Sequence, residues 1–486
     1  MIYIDPPYNT RSDEFIYKDN FVESKPYWEA HYDLDNDTID SFHTIYGSRT
    51  HSGWLAFMYP RLRLARDLLR DDGVIYISID EHEQANLKLM CDEIFGEENH
   101  LGELIRKTKS TTNDPKNGFN IQHEYCCLYA RKKEALILAG EEKDFHNYKN
   151  PDNDPNGLWV SSGICAKRSD TRFPIKNPYT GKVDYPPKGA SWRFSESSFR
   201  EHIKSGKIVF KKAHKENERG FIFKRYLHEV KSKRDYVNSL FATDNAFMNQ
   251  VATKEGVALM GDIFASYPKP VSYLEKIIFY TTSHHDIILD FFAGSGTTAH
   301  AVMKVNAKDG GERSFIMVEW NEKIDKRKFP DAHQFCAEHR LKPVISSITI
   351  ERIKRAGDKL KGALGMTGVA LDTGYKVFSL AKQRRLAISE GALPIVHAPS
   401  SDPPSSLDVL YNLIMKSNKD LHEPFETIEK DALYRQGDTY YVIGKCDTPL
   451  GDKGDIHIDG FADIDLEQWL NSIGLEQEGR NVVVHY

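Results

Sequence analysis

The stretch that decides the fold is DIILDFFAGSGTTAHAVMKV, Asp286 to Val305. A short hydrophobic strand, Ile287-Ile288-Leu289, ends on Asp290. Phe291-Phe292-Ala293-Gly294-Ser295-Gly296 then makes a tight turn, and Thr297-Thr298-Ala299 starts a helix. Strand, glycine turn and helix together open an α/β unit. Glycines at such a turn let the backbone approach a ligand closely, with the helix N-terminus behind it. The spacing is not the G-x-G-x-x-G dinucleotide fingerprint, because the third glycine is missing. Nor is it a P-loop, because no Gly-Lys-Ser/Thr follows. The next strand, SFIMVEW from Ser314 to Trp320, carries Glu319 near its tip. An acid there is placed to hold a ribose diol. The bland alternative is a structural βαβ turn with an exposed glutamate.

Working outward, SYLEKIIFYTT predicts a helix from Ser272 to about Thr282, just before the glycine strand. ISSITIERIKRAGDKLK, residues 345 to 361, predicts a basic amphipathic helix after it. Far upstream, Trp54 to Arg70 has apolar residues at helical spacing: Leu55, Met58, Leu62, Ala65, Leu68 and Leu69. Asp71-Asp72-Gly73 stops it, and Val74 to Asp80 reads as an apolar strand. EHEQANLKLMCDEIF follows as a second amphipathic helix, and Glu124 to Lys132 as another strand. Residues 11 to 50 read as a long polar loop with one helix. Two α/β stretches thus flank a region from 145 to 195 rich in Asn, Asp, Pro and Gly turn signals.

The chain has 486 residues, 40% hydrophobic and 28% charged, which suits a folded protein of two or three domains. No apolar run reaches membrane-span length, and no signal peptide precedes the first strand. The six cysteines fit no CxxC or Cys/His metal spacing and read as reduced cytoplasmic thiols, several of them buried. The net charge of -6 hides an asymmetry. Val160 to Asp235 holds 19 basic against 8 acidic residues, a balance of +11. From Gly365 onward there are 11 basic and 19 acidic residues, a balance of -8. A basic block with interleaved aromatics, such as Trp192, Phe199, Phe221 and Tyr226, is the footprint of a polyanion-binding module. A solvated lysine-rich surface is its rival. The aromatics are expected to be mostly core, with a minority facing the polyanion.

The first ten residues, MIYIDPPYNT, carry a second chemical signal. Strand Ile2 to Ile4 delivers Asp5 to its carboxyl end, where α/β sheets place ligands. Pro6 and Pro7 fix the backbone, and Tyr8 offers a flat π-face. An exocyclic amine on a nucleobase is a poor nucleophile, because its lone pair is delocalised into the ring. The Asp5 carboxylate and the Pro6 carbonyl can accept its two N–H bonds and free that lone pair. Stacking on Tyr8 would contribute about 1–3 kcal/mol, against a few kcal/mol for taking a base out of a duplex. An Asp-Pro-Pro surface turn is the rival reading. No second carboxylate is legible as a dyad partner for Asp5. Asp80 reads equally as a site residue and as an N-cap of the next helix. His284 and His285 read as a solvated loop pair.

Together, Asp5-Pro6-Pro7-Tyr8 and Phe292-Ala293-Gly294-Ser295-Gly296 resemble the catalytic and S-adenosylmethionine signatures of amino-methylating DNA methyltransferases. Catalytic motif first and cofactor motif later is similar to the β subgroup. IYIDPPYNT, WLAFMYPRLRLARDLL, GVIYISIDEHE, EIFGEEN, YPKP and LDFFAGSGTT resemble the Mod subunits of type III restriction–modification systems, over residues 1 to about 380. The resemblance implies a Rossmann-like methyltransferase sheet with permuted motif order, an inserted target-recognition domain and a small C-terminal α+β domain. It divides the chain into a catalytic half at 1–140, a DNA-binding insertion at 141–260, a cofactor half at 261–364 and an acidic domain for dimer or partner contact at 365–486. It implies methyl transfer from S-adenosylmethionine to N6 of a flipped adenine in double-stranded DNA, without a metal. Asp5, Pro6, Pro7 and Tyr8 would be catalytic. Lys269, Pro270, Asp290, Phe291, Phe292, Ala293, Gly294, Ser295, Gly296, Thr297 and Glu319 would bind the cofactor. It further implies a homodimer, a separate restriction (Res) subunit and a cytoplasmic location away from membranes. N4-cytosine methylation and a catalytically silent DNA-specificity module are the alternatives; Asp5, rather than Ser, tilts toward adenine. Members of the family carry a sizeable segment ahead of the first strand, so we expect a truncated or internally initiated Mod with an incomplete cofactor pocket.

Overall fold

A computed structural model of the chain describes residues 1–10, 36–46, 50–111, 118–167, 170–230, 235–261, 268–364, 371–380, 386–387, 395–396, 404–446, 448, 450, 454–462 and 481–485. Met1–Thr373 forms one compact unit and Gly374–Tyr486 a second.

The first unit begins with β1 (Ile2–Ile4), α1 (Asn36–Tyr46), α2 (Thr50–Leu68), β2 (Val74–Ile79), α3 (Gln84–Phe95), β3 (His100–Lys107) and β4 (His123–Ala130). A small region follows with β5 (Trp159–Ser161), α4 (Glu196–Lys204), β6 (Ile208–Phe210) and β7 (Phe221–Tyr226). Then come α5 (Asn249–Met260), α6 (Val271–Thr281), β8 (Ile287–Asp290), α7 (Thr297–Asp309), β9 (Ser314–Met317), α8 (Pro330–Glu338) and α9 (Ile345–Leu364). Six strands make the central sheet in the order β9-β8-β1-β2-β4-β3. β9, β8, β1 and β2 run parallel, while β4 is antiparallel to both β2 and β3.

The strands β1 and β2 are buried on both faces, which is why they read as continuous hydrophobic runs. On one face, Ile2, Ile4, Ile75 and Ile77 pack with Trp54, Leu55, Met58 and Leu62 of α2 and with Leu87 and Cys91 of α3. On the other, Tyr3, Tyr76 and Ile288 pack with Leu274, Ile277 and Ile278 of α6 and with Ala301, Val302 and Val305 of α7. The result is a three-layer α/β sandwich. Segments distant in sequence are adjacent here: β1 sits between β2 and β8, with Ile2 beside both Ile75 and Leu289. Parallel pairing brings the carboxyl ends of β1 and β8, and so Asp5 and Asp290, to one edge of the sheet.

β3 escapes a reading by hydrophobic alternation. Along HLGELIRK only Leu104 and Arg106 are buried, and Arg106 is a charge. All six cysteines are free thiols, and five are buried. No helix among the described residues is long and apolar enough to cross a membrane.

Between β4 and α5, strands β6, β7 and β5 form a three-stranded antiparallel sheet. Ile164, Ile175, Trp192, Phe199, Ile208 and Phe221 make its own small core, with Phe194, Phe210 and Phe223 packed against them. The aromatics of the basic block are thus core residues, and Tyr226 too is buried. The exposed aromatics of this region are Tyr179, Tyr185 and Tyr236, which composition had not singled out.

The second unit has α10 (Ser406–Lys416), closed at its start by a capping box of Ser405 and Asp408. Strands β10 (Glu426–Glu429), β11 (Leu433–Gln436), β12 (Thr439–Val442), β13 (Ile456–Asp459) and β14 (Val482–His485) pair in that order. The first three are antiparallel and the last two add in parallel. Leu410, Leu413 and Ile414 of α10 pack on Tyr434 and Tyr441.

Candidate active site

The Asp5-Pro6-Pro7-Tyr8 turn leaves β1 at the sheet edge and is pinned from two sides. Trp54 of α2, fully buried, donates its indole N–H to the Pro7 carbonyl at 2.7 Å. Asn9 follows with φ of +61°, a left-handed conformation that Asn tolerates. Its amide nitrogen donates to Glu83 at 2.5 Å. Glu83 is itself fully buried and also accepts from Asn86 at 2.7 Å. These contacts explain why the turn is not a loose surface feature: buried Trp54, Asn9 and Glu83 hold it by hydrogen bonds.

Tyr8 donates its hydroxyl to Asp5 Oδ1 at 2.7 Å. Burial, with the Asp5 charge adding to it, holds the Tyr8 phenol well above its ordinary range, so it stays a donor. Lys269 lies beside them. Its ammonium donates to Asp5 Oδ1 at 2.8 Å, to Asp5 Oδ2 at 2.7 Å and to the Tyr8 oxygen at 2.9 Å. Behind Lys269 is Glu124, with an oxygen 3.5 Å from the ammonium. Glu124 is paired with Arg106 at 2.7 Å. Burial pushes the Glu124 carboxyl up, but Arg106 and Lys269 overcome that and hold it below its usual range. Glu124 and Asp5 thus lie on either side of one ammonium and do not form a carboxylate dyad.

The glycine turn sits at the end of β8. Asp290 is buried and turns back on its own loop, accepting the Phe292 amide at 3.1 Å and the Thr298 hydroxyl at 2.5 Å. Gly294 has φ of +49° and Gly296 of +76°. At Gly296 a Cβ would also stand 3.0 Å from Ile353 and 3.2 Å from Thr349 of α9, so both backbone and space require glycine. Thr349 donates to the Gly294 carbonyl, and Arg352 to the Ser295 carbonyl at 3.2 Å. Glu319 accepts the Gly294 amide at 2.5 Å, which brings the acid of the next strand onto the turn. Burial pushes the Asp290 carboxyl up to about 7 and the Glu319 carboxyl up to about 8. Phe292 reaches across to Phe57 of α2, with ring centroids 5.9 Å apart.

The expected residues thus gather in two neighbouring clusters. Asp5, Pro6, Pro7 and Tyr8 form one, and Asp290 to Thr297 with Glu319 the other. Lys269, expected with the cofactor group, directs its ammonium to Asp5 and Tyr8 instead. Pro270 next to it precedes the first turn of α6; Tyr267 of the YPKP stretch lies outside the described residues. Asp80 accepts the His82 amide at 3.0 Å in the turn before α3, but the N-cap of that helix is Glu83, so Asp80 does not cap it. Sequence reasoning missed Trp54, Glu83, Glu124, Arg106, Thr349 and Arg352. Paired buried charges on β3 and β4 were the one available signal, and it needs the pairing of the strands to be read.

Comparison with known proteins agrees with this arrangement. The DNA methylase family profile matches residues 1–327. The type III restriction-modification enzyme StyLTI Mod subunit of Salmonella typhimurium is 36% identical over 394 residues, covering 78% of this chain and 56% of that protein. The type III restriction-modification enzyme EcoP15I Mod subunit of Escherichia coli is 33% identical, covering 78% of this chain and 61% of that protein. The type II methyltransferase M.KpnI of Klebsiella pneumoniae is 32% identical, covering 73% of this chain and 82% of that protein. The chain therefore spans between half and two thirds of the length of the two Mod subunits.

Proposed function

The chain belongs to the DNA methylase family, and on that premise we propose that it methylates N6 of adenine in double-stranded DNA, using S-adenosylmethionine, as the modification subunit of a type III restriction–modification system. The observation that carries this reading is the placement of Asp5 and Asp290 at the ends of adjacent parallel strands, each at the head of one motif. A base-holding cluster and a cofactor cluster then share one edge of the sheet, as in-line transfer requires.

The residues present fit that cofactor. Asp290, buried, and Glu319, half-buried, are two carboxyls raised by loss of solvent; hydroxyl donors and positive charge would relieve both. Gly294 and Gly296 give the backbone its close approach. When bound, S-adenosylmethionine supplies a methyl carbon activated by a sulfonium, whose bonding electron pair stays on sulfur. This chain's residues do the rest. Tyr8 stacks on the extruded adenine. Asp5 and the Pro6 carbonyl accept the two N6–H bonds and turn the lone pair toward the methyl. Adenine N6 forms the new C–N bond, and one N6 proton then leaves through Asp5 or to water. Positioning of this kind supplies about 7–11 kcal/mol of a barrier.

The basic region around β5 to β7 would lie on DNA phosphates, which makes affinity fall with salt. A Res subunit and a second copy of the chain belong to the same reading. The test is transfer of tritiated methyl to unmodified DNA, followed by digestion to nucleosides. Label in N6-methyladenine supports the proposal. Label in N4-methylcytosine, or no transfer at all, overturns it.

A further inference from the structure

We propose that Lys269 is a positioning residue of methyl transfer, fixing the Asp5 carboxylate and the Tyr8 hydroxyl in the orientation that receives the base, and that Glu124 and Arg106 set Lys269 in turn. The inference rests on the function proposed above and adds residues to it.

An ammonium has three donors. Lys269 directs them at both oxygens of Asp5 and at the Tyr8 hydroxyl. Those are the two side chains that would touch adenine. Prolines lock the backbone after Asp5, but they leave its side-chain torsions free. A cation bound to both carboxylate oxygens removes that rotation. The hydrogen bond to the Tyr8 oxygen does the same for the phenol ring. A single side chain thus orients the acceptor and the stacking face together, within the roughly 0.5 Å that productive geometry demands.

The hydrogen-bond inventory goes further. Among the described residues, Asp5 Oδ1 accepts from both Tyr8 and Lys269, while Oδ2 accepts from Lys269 alone. A carboxylate oxygen has two lone-pair sites. The geometry therefore leaves a vacant site on Oδ2 and assigns it to N6–H.

Lys269 is 8% exposed. A buried ammonium holds its charge only against carboxylates, and here it has one on each side, Asp5 and Glu124. Glu124 would be a buried anion without Arg106, whose Nε donates to it at 2.7 Å. Arg106 is anchored in turn on the Phe247 carbonyl and on Asn249, each at 2.7 Å, where the chain enters α5. The signs alternate, Arg106, Glu124, Lys269, Asp5, so the row is neutral overall. A neutral row holds the acceptor without repelling a cationic methyl donor.

The experiment is single-turnover transfer of tritiated methyl to unmodified DNA at saturating cofactor, with cofactor affinity measured separately by calorimetry. Thermal melting confirms that each variant folds. Lys269→Met is expected to lower the single-turnover rate about 100-fold, with cofactor affinity changed less than about twofold. Lys269→Arg, which keeps charge and donors, should recover a large part of that rate. Glu124→Gln should lower it about tenfold in the wild-type background and have little further effect in Lys269→Met, because the two act in one row. If Lys269→Met weakens cofactor binding and saturating cofactor restores the wild-type rate, Lys269 is a cofactor residue and the inference falls. Additive effects of the two substitutions also overturn it. A wild-type chain that transfers no methyl sinks the proposed function and the inference together. An active wild type matched by Lys269→Met sinks the inference alone.

Discussion

Two neighbouring strands end on an aspartate, and the two aspartates live in opposite surroundings. Asp5, at the end of β1, has an ammonium on both carboxylate oxygens. Asp290, at the end of β8, has only the neutral donors Phe292 N–H and Thr298 hydroxyl, with Glu319 held on the same turn. The consequence is electrostatic. Burial pushes Asp290 up to about 7 and Glu319 up to about 8, and the Asp5 charge adds to the rise at Asp290. The Asp5 corner has its countercharge within the chain itself. The glycine corner carries acids that a ligand rich in hydroxyls and positive charge would complete. One corner is built to hold its shape and the other to gain a partner.

The largest test of this contrast is Asp5→Ala. Loss of a preorganised acceptor at the reacting atom should lower methyl transfer about 10³-fold. Cofactor affinity should not fall, because no hydrogen bond of the glycine corner comes from Asp5 and loss of the Asp5 charge only eases ionisation of Asp290. An equal loss of cofactor binding, measured by calorimetry, would show that the corners are not separate.

The next effect is on the other corner. Protonated Asp290 and Glu319 must release their protons to meet a cationic ligand. Cofactor affinity is therefore expected to rise with pH through about 7 to 8 and level off above, by at most about tenfold per pH unit for each proton released. Asp290→Asn with Glu319→Gln should flatten the profile. The sign for stability is opposite. These carboxyls have folded-state values raised above their unfolded ones, so the folded state holds the extra protons. Their contribution is present at low pH and is lost as pH rises toward about 7 to 8. Melting temperature without cofactor should fall across that window and recover when cofactor is added. A flat affinity profile in the wild type would break the account.

Gly296→Ala should come below these. A non-glycine residue at φ of +76° is strained by about 1–2 kcal/mol, and its Cβ would press on Ile353 at 3.0 Å. The expected result is roughly tenfold weaker cofactor binding with a lower melting temperature, and unchanged binding of DNA. Wild-type cofactor affinity in this variant would mean that α9 can retreat from the turn.

The same contrast explains what could be read from sequence. The strands β1 and β2 were legible because they are buried on both faces and so are continuously apolar, and β8, whose Ile287 is exposed, because the glycine turn follows it. Gly294 and Gly296 were legible because positive φ leaves few other residues. Asp5 was legible because the Pro-Pro turn marks a strand end. What stayed hidden was pairing across the sheet. Lys269 is 264 residues from Asp5, and Arg106 is 18 from Glu124, so no local period joins them. β3 was hidden for the same reason, since a buried arginine interrupts its alternation until Glu124 of β4 is placed beside it. The core role of Trp192, Phe199 and Phe221 was legible despite the lysines between them, and all three are buried.

The smallest predicted effects separate the corners most finely. Trp54→Phe removes one neutral hydrogen bond, the indole N–H to the Pro7 carbonyl, and should cost about 1 kcal/mol of stability. No ionisable group takes part, so the loss should be the same on either side of pH about 7. Thr298→Val removes one hydrogen bond of similar kind, but its acceptor is the Asp290 carboxyl. That bond favours the ionised acid, so its removal raises the Asp290 value further above about 7. Below that pH the acid is protonated in both proteins and the loss is small. Above it the wild type has an ionised, partnered carboxylate, while the variant must either bury it with one donor fewer or keep it protonated. The penalty of Thr298→Val should therefore grow as pH rises through about 7, while that of Trp54→Phe stays level. Melting curves of both variants on each side of that pH decide it; parallel losses would place Asp290 among ordinary ionised carboxylates and remove the distinction between the two strand ends.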